Sequence, residues 1–382
     1  MNSVSILEHL VAFDTVSSKT NLPMLDWIDE YLENHGVKAY RVPDESGAKA
    51  SLYAQIGPQD KSGYVLSGHT DVVPVTGQDW SSDPFKLAAR QDKVYARGTC
   101  DMKGFLACVL AAVPDMIAAD LDTPLVLAFS YDEEVGCTGV RPMLAQMKDW
   151  NVLPKGCFVG EPTSMSVVVG HKEKLSKRVK VTGLTGHSSL APQAVNALEY
   201  AARLVTTISD IGRRLAEQGP RDELYDLPHT TAHVGRMVAG TQLNIVPVEA
   251  VFDFEFRAVA GDDPFKLLEE VEQAADQLLV EMQSVHPGAA IDFLPYSEIA
   301  GLDTAVDSDI AVLAKRLAMK NSHAKVAFST EAGLFDQIAG VPTVVVGPGS
   351  IEQAHKADEY VELGQLASCD KFIAALIHHC SA

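Results

Sequence analysis

The chain is poor in aromatic residues, 7% of its 382 positions, and no apolar run approaches the length needed to cross a membrane. No loop carries a cluster of Lys and Arg, and the formal net charge is −20. That balance argues against nucleic acid or an anionic membrane as the main partner. The six cysteines (Cys100, Cys108, Cys137, Cys157, Cys369 and Cys380) contain no CxxC pair and no disulfide-framework spacing. Reduced thiols are therefore expected, with Cys100 and Cys137 read as small buried hydrophobes. The opening MNSVSILEHLVAFDTV lacks a basic n-region and a small-residue cleavage site. It reads as an amphipathic first helix rather than an export signal, and a cytoplasmic protein is the simplest expectation. Internal repeats and low-complexity stretches are also missing.

What is present is ample material for a packed interior. Apolar residues make up 47% of the chain and charged residues 21%. A length of 382 residues predicts two domains. Over the first 170 residues, apolar runs 51–56, 64–67, 125–130 and 157–160 alternate with helical stretches 24–34, 104–119 and 140–148. Such alternation predicts a mainly parallel (mixed) sheet flanked by helices. From about Lys172 the texture changes to half-exposed alternating strands around helices near 196–217 and 264–285, ending in AIDFLPY. This β-α-β-β-α-β order predicts an α+β domain with a small antiparallel sheet. The α/β texture then returns with KVAFS, PTVVVG and a closing helix near 363–379. The expected organisation is an α/β catalytic domain formed by 1–171 and 300–382, interrupted by an inserted domain over 172–299.

Five short motifs fall where an apolar run gives way to a loop. They are SGHTDVVP (His69, Asp71), RGTCDMKG (Asp101), SYDEEVG (Asp132, Glu133, Glu134), VGEPT (Glu161) and PGSIEQAHK (His355). Loops at the carboxyl ends of strands converge in open α/β sheets, so these residues are candidates for one site. Singly each is weak: His-x-Asp reads as an exposed loop, and Glu133–Glu134 as a solvated pair or a helix start. Together the named residues supply two imidazoles and six carboxylates, and two histidines with three carboxylates are enough for two divalent ions if one carboxylate is shared. The donor chemistry suits zinc, with cobalt or manganese as substitutes. Such a metal pair can acidify a water and polarise a carbonyl, which amide hydrolysis requires.

With GHTDVVP, CDMKG, DEEVGCTG, GEPT, GHSS and the late AHK in this order, the chain resembles the di-zinc M20 family of aminoacylases and carboxypeptidases over nearly its whole length. The resemblance implies that His69 and Glu161 hold one zinc, that Glu134 and His355 hold the other, and that Asp101 bridges them. It implies Asp71 as the carboxylate orienting His69, Glu133 as general base, and a cis peptide at Asp101–Met102. The inserted domain would be a lid that forms a homodimer, with His187 of TGHSS donating to the oxyanion in the partner's site. Taken alone, GHSS reads as turn chemistry. Asn244 and Arg257 would bind substrate, although Arg257 on an alternating strand also reads as solvent-facing.

Within the family, GEPTSM, FSTEAGLFD and GPGSIEQAHKADEY look most like the acetylornithine deacetylase branch. That likeness implies a small N-acyl amino acid as partner, namely N2-acetyl-L-ornithine in arginine biosynthesis. Glu331 of STEAG would favour a cationic side chain, or else simply be a helix N-terminal carboxylate. The alternatives within the family are a succinyl-diaminopimelate desuccinylase and a broad N-acyl-amino-acid deacylase or dipeptidase. A silent metal-binding relative is the alternative of another class, but it has no need of the intact Glu133.

Overall fold

The run LVLAFS is buried at every position, and it forms the strand Leu125–Ser130 inside a nine-stranded sheet. The structure is a computed structural model that describes residues 1–148 and 152–381. Across the large sheet the strands lie in the order Ala39–Pro43, Ala50–Ile56, Leu125–Ser130, Tyr64–His69, Gly156–Val159, Thr343–Val345, Val168–His171 and Leu302–Asp303, with Ala324–Val326 paired beside Val168–His171. The four strands from Leu125–Ser130 to Thr343–Val345 are mutually parallel, and the flanking pairs are antiparallel. Parallel strands need both faces covered, which explains why these runs are continuously apolar instead of alternating. Helices Ser3–Val11, Lys103–Ala111 and Leu363–Cys380 pack on one another, and Val140–Lys148 packs on Ala332–Ala339.

The chain divides into two compact units. One takes Met1–His171, Leu302–Lys325 and the chain from Thr330; the other takes Lys172–Gly301 with Val326–Ser329. The second unit runs Glu173–Thr182, Ala197–Gln218, Thr231–Ala239, Glu249–Ala258, Pro264–Val285 and Ala290–Ile299, which is β-α-β-β-α-β. Its four strands form an antiparallel sheet in the order Thr231–Ala239, Glu249–Ala258, Glu173–Thr182, Ala290–Ile299. Along Glu249–Ala258 the even-numbered side chains are buried, so Phe252, Phe254 and Phe256 point into the core shared with the two helices. Each such ring contributes about 1.5–3 kcal/mol by burial. Asn196 and Asp263 cap the two helices, accepting from the amides of Leu198 and Phe265.

Two expectations change. The helical stretch 104–119 is two helices, Lys103–Ala111 and Val113–Ala118, because Pro114 has no N–H to give and clashes with the preceding turn. The KVAFS run is not a buried strand: pairing covers only Ala324–Val326, at half-buried positions, and Val326–Ser329 belong to the second unit. A small third sheet, formed by Ala88–Arg90, Lys93–Tyr95 and Tyr360–Glu362, escaped the sequence reading because its strands are three residues long.

Candidate metal centre

His69 is the last residue of the strand Tyr64–His69. Glu133 and Glu134 follow the strand Leu125–Ser130, Glu161 follows Gly156–Val159, and His355 lies in the segment after Thr343–Val345. All four central parallel strands therefore send a candidate ligand from the same edge of the sheet. Asp101 reaches that edge from the turn before helix Lys103–Ala111, and the Asp101–Met102 peptide is cis.

The Asp101 carboxylate sits between the two histidines. Its Oδ1 lies 3.0 Å from His69 Nε2, and its Oδ2 lies 3.1 Å from His355 Nε2. Glu161 Oε1 is 3.7 Å from His69 Nε2, and Glu134 Oε2 is 3.1 Å from His355 Nε2. Ligand atoms of His69, Glu133 and Glu161 lie within 4.8 Å of one another, as do those of His69, Asp101 and Glu134. On its other side the His69 ring places Nδ1 2.9 Å from the Asp71 carbonyl oxygen and 3.5 Å from its carboxylate. Asp71 is in turn fixed by the Ser17 hydroxyl at 2.7 Å and by the amides of Glu133 and Glu134.

The donor set fits divalent cations. Two imidazole nitrogens and several carboxylate oxygens converge in a buried place, and the buried Glu134 Oε1 and Glu161 Oε1 have no hydrogen-bond donor. Without cations, protons take up the charge. Burial and the neighbouring carboxylates push Glu133 up to about 8 and Glu134 to about 7, and raise Glu161 well above its ordinary value. Hydrogen bonds to Asp101 and Glu134 raise His355 to about 10. Burial opposes charge on His69, but Asp101, Asp71 and Glu161 outweigh it and hold the ring well above its usual range. Asp101 is buried too, yet the two histidines keep it below the ordinary carboxylate range.

Neighbouring residues sort the acids. Asp132, first of the three consecutive acids, turns away to pair both its oxygens with Lys49 Nζ at 2.6 and 2.8 Å. Glu133 receives the Cys137 thiol at 3.3 Å, so Cys137 is buried as expected but also touches the candidate base. Gly160 brings Glu161 in close: a Cβ there would lie 2.0 Å from the Phe105 ring. Glu359, which the sequence reading passed over, is buried and accepts from the amides of Cys100 and Asp101 at 2.9 and 3.1 Å. Only its place in the AHKADEY string gave a signal.

Of the two readings of Glu331, the structure has the helix N-terminal carboxylate, directly before helix Ala332–Ala339, and not an acid placed to meet a cationic side chain. Glu331 is fully buried, with Oε1 accepting from Ser67 at 2.6 Å and Oε2 from Ser130 at 2.7 Å, and has no surface to offer a ligand. Its carboxylate ties together the ends of two adjacent parallel strands, below the residues they present.

Three expected residues belong to the second unit. His187 is exposed, and its Nδ1 accepts from the Ser189 amide at 3.2 Å. The same Nδ1 lies 2.7 Å from the Ser189 hydroxyl, so both contacts are made by one ring nitrogen and Nε2 has neither. Asn244 is close by in this unit, for its carbonyl accepts from the Ser188 amide at 3.1 Å and His187 bridges Ile245. Arg257 is half-buried, donates through Nε to Glu255 of its own strand at 2.8 Å and through Nη1 to the Ala327 carbonyl at 3.5 Å, which leaves Nη2 free of carboxylate.

The chain is 31% identical to an acetylornithine deacetylase of Myxococcus xanthus, covering 98% of this chain and 96% of the relative. It is 28% identical to an acetylornithine deacetylase of Photorhabdus laumondii, over 98% of this chain and 96% of that one. An M20 family metallo-carboxypeptidase from Sulfolobus solfataricus shares the fold, with a TM-score of 0.78, 19% identity, and coverage of 99% of this chain and 98% of the other. The sequence pattern of peptidase family M20/M25/M40 matches residues 65–379. With that match over most of its length, the chain belongs to peptidase family M20/M25/M40 and is a hydrolase of amide bonds.

Proposed function

We propose that the chain hydrolyses the N-acetyl amide of N2-acetyl-L-ornithine to L-ornithine and acetate, using two zinc ions. The observation that carries the reading is the Asp101 carboxylate, with one oxygen on each histidine, beside a Glu133 that bonds neither. His69 and Glu161 would hold one ion and Glu134 and His355 the other, with Asp101 shared. The chemistry such a pair would supply when bound is a lowered pKa of a water and polarisation of the substrate carbonyl. Glu133 takes a proton from the attacking water and returns it to the leaving α-nitrogen. Asp71 keeps the His69 ring in the tautomer whose Nε2 is free for a ligand.

The second unit acts in this proposal as lid and dimerisation domain. Leu190, Val238, Leu243, Ile245 and Val248 are exposed on it, and Leu243 is 99% exposed, apolar side chains that a second copy would cover. His187 of that copy donates its Nε2–H to the substrate oxygen as charge develops, a contribution of about 2.7–4 kcal/mol for such a donor. Asn244 and the free part of the Arg257 fork bind the substrate carboxylate. A cytoplasmic setting is supported by six cysteines that are all free and buried.

The acetyl group and the ornithine are supported by the names of relatives near 30% identity. Zinc-loaded protein should release acetate from acetylornithine much faster than succinate from N-succinyl-diaminopimelate. The opposite order would replace this substrate with the desuccinylase alternative.

A further inference from the structure

We propose that Gln78 is a positioning residue for the His355 side of the metal centre, acting through a hydrogen-bonded chain that also fixes the backbone at Asp101. The proposal rests on the reading of this cluster as a two-metal site.

Among the histidines and acids of the cluster, His355 is the one least held by its surroundings. Its side chain is 51% exposed, against 8% or less for His69, Asp101, Glu134 and Glu161. It sits on a loop at φ 61°, in the left-handed region that costs a non-glycine residue energy. Its carbonyl oxygen accepts from Gln78 Nε2 at 3.0 Å. The Gln78 amide cannot be turned over, because its Oε1 already faces two donors, Arg97 Nη2 at 2.6 Å and Trp80 Nε1 at 3.2 Å.

Arg97 is itself immobilised. Its guanidinium lies 5.1 Å from the centre of the Trp80 ring, and its Nη1 donates to Glu359 Oε2 at 2.6 Å. Both partners of this pair are 1% exposed. The other oxygen of Glu359 takes the amides of Cys100 and Asp101. One continuous chain, Asp101 N–H to Glu359 to Arg97 to Gln78 to His355 carbonyl, thus spans the shared carboxylate and the exposed histidine. The ladder pairs Tyr360↔Tyr95 and Val361↔Val94 dock the following segment independently. Loss of the Gln78 contact would therefore loosen the backbone at His355, while the Ser81 amide and hydroxyl, which both donate to Asp358 at 2.9 Å, hold the chain that follows.

Gln78→Glu separates this role from general bracing. A carboxylate keeps an acceptor for Arg97 and Trp80 but has no donor for the His355 carbonyl. Gln78→Met, of similar volume and uncharged, is the second variant. Zinc bound per chain is measured across graded free zinc, together with thermal melting of the metal-free proteins. The wild type takes up two ions; the variants keep the affinity of the first and lose about tenfold or more at the second. Metal-free Gln78→Glu, which keeps the acceptor for Arg97 and Trp80, melts like the wild type, and excess zinc restores the activity of both variants. Two ions bound with wild-type affinities in both variants would overturn the proposal. A fall in both affinities with a lower metal-free melting temperature in Gln78→Glu would overturn it as well, showing a general brace. Fewer than two ions in saturated wild type would instead remove the two-metal reading on which the proposal stands.

Discussion

Glu133 and Glu134 are adjacent in sequence and differ in what they face. Glu134 puts Oε2 against His355, whereas Glu133 meets the Cys137 thiol and approaches His69 and Glu161 without bonding a histidine. A carboxylate that shares the space of the ligands without being needed as one is suited to carrying a proton. Glu133→Gln is accordingly expected to keep wild-type zinc content and lose activity by about 10²–10⁴-fold. Zinc content and kcat measured on the same preparation check this, and a fully active variant would refute the base assignment. The same scale shows why local sequence cannot finish the site. Asp132 is as acidic as its neighbours, yet Lys49, 83 residues earlier, takes it out of the cluster.

At the scale of elements, the site is made by strand ends. Three of the four central strands deliver their residues within a few positions of the last ladder pair, so the spacing between candidate ligands is inherited from the spacing of strands. Glu331 adds to this by accepting from Ser67 and Ser130 on neighbouring strands. Gly160 lets the strand end pack directly on Phe105 of helix Lys103–Ala111. Gly160→Ala would force a methyl group onto the Phe105 ring, and overpacking of this kind costs about 1–3 kcal/mol. A lower melting temperature with weaker zinc binding is expected, since Glu161 must shift with its neighbour; unchanged values for both would show that the ring simply moves aside. The expected strands of the parallel centre were legible because they are unbroken apolar runs. The split at Pro114 was legible in principle as well, since the residue itself carries the reason.

For the whole molecule, the metal-free protein should respond to pH in a defined direction. Glu133, Glu134, Glu161, His69 and His355 all have folded-state pKa values above their ordinary ones. At these five groups the folded chain binds more protons than the unfolded chain, so their contribution to stability falls as pH rises. The buried Lys103, lowered to about 7, opposes them in part above that pH. For the acids this stability is present below their ordinary range and is lost as pH climbs through about 7 and 8. Melting temperatures in chelator should drop between about pH 5 and pH 8. Saturating zinc should flatten the slope, because cations then replace the protons. A melting temperature in chelator that rises over this interval would contradict the assignment. The dimer proposal has its own test at this scale. His187→Ala and Glu133→Gln chains, each poorly active, should regain activity when mixed into verified heterodimers. No recovery there would count against a histidine supplied across subunits.

Legible in the order of residues are the alternation of strands and helices, the inserted β-α-β-β-α-β segment, and the inventory of histidines and acids at strand ends. These are local properties: apolar periodicity, turn residues and short ordered motifs. Tertiary structure alone decided which acids share one space and which are spent elsewhere. It sent Asp132 to Lys49, buried Glu331 under two serines, and joined Arg97 to Glu359 across 262 positions. Burial and long-range proximity set these outcomes, because a carboxylate's charge, partner and pKa depend on what is packed around it rather than on its neighbours in the chain.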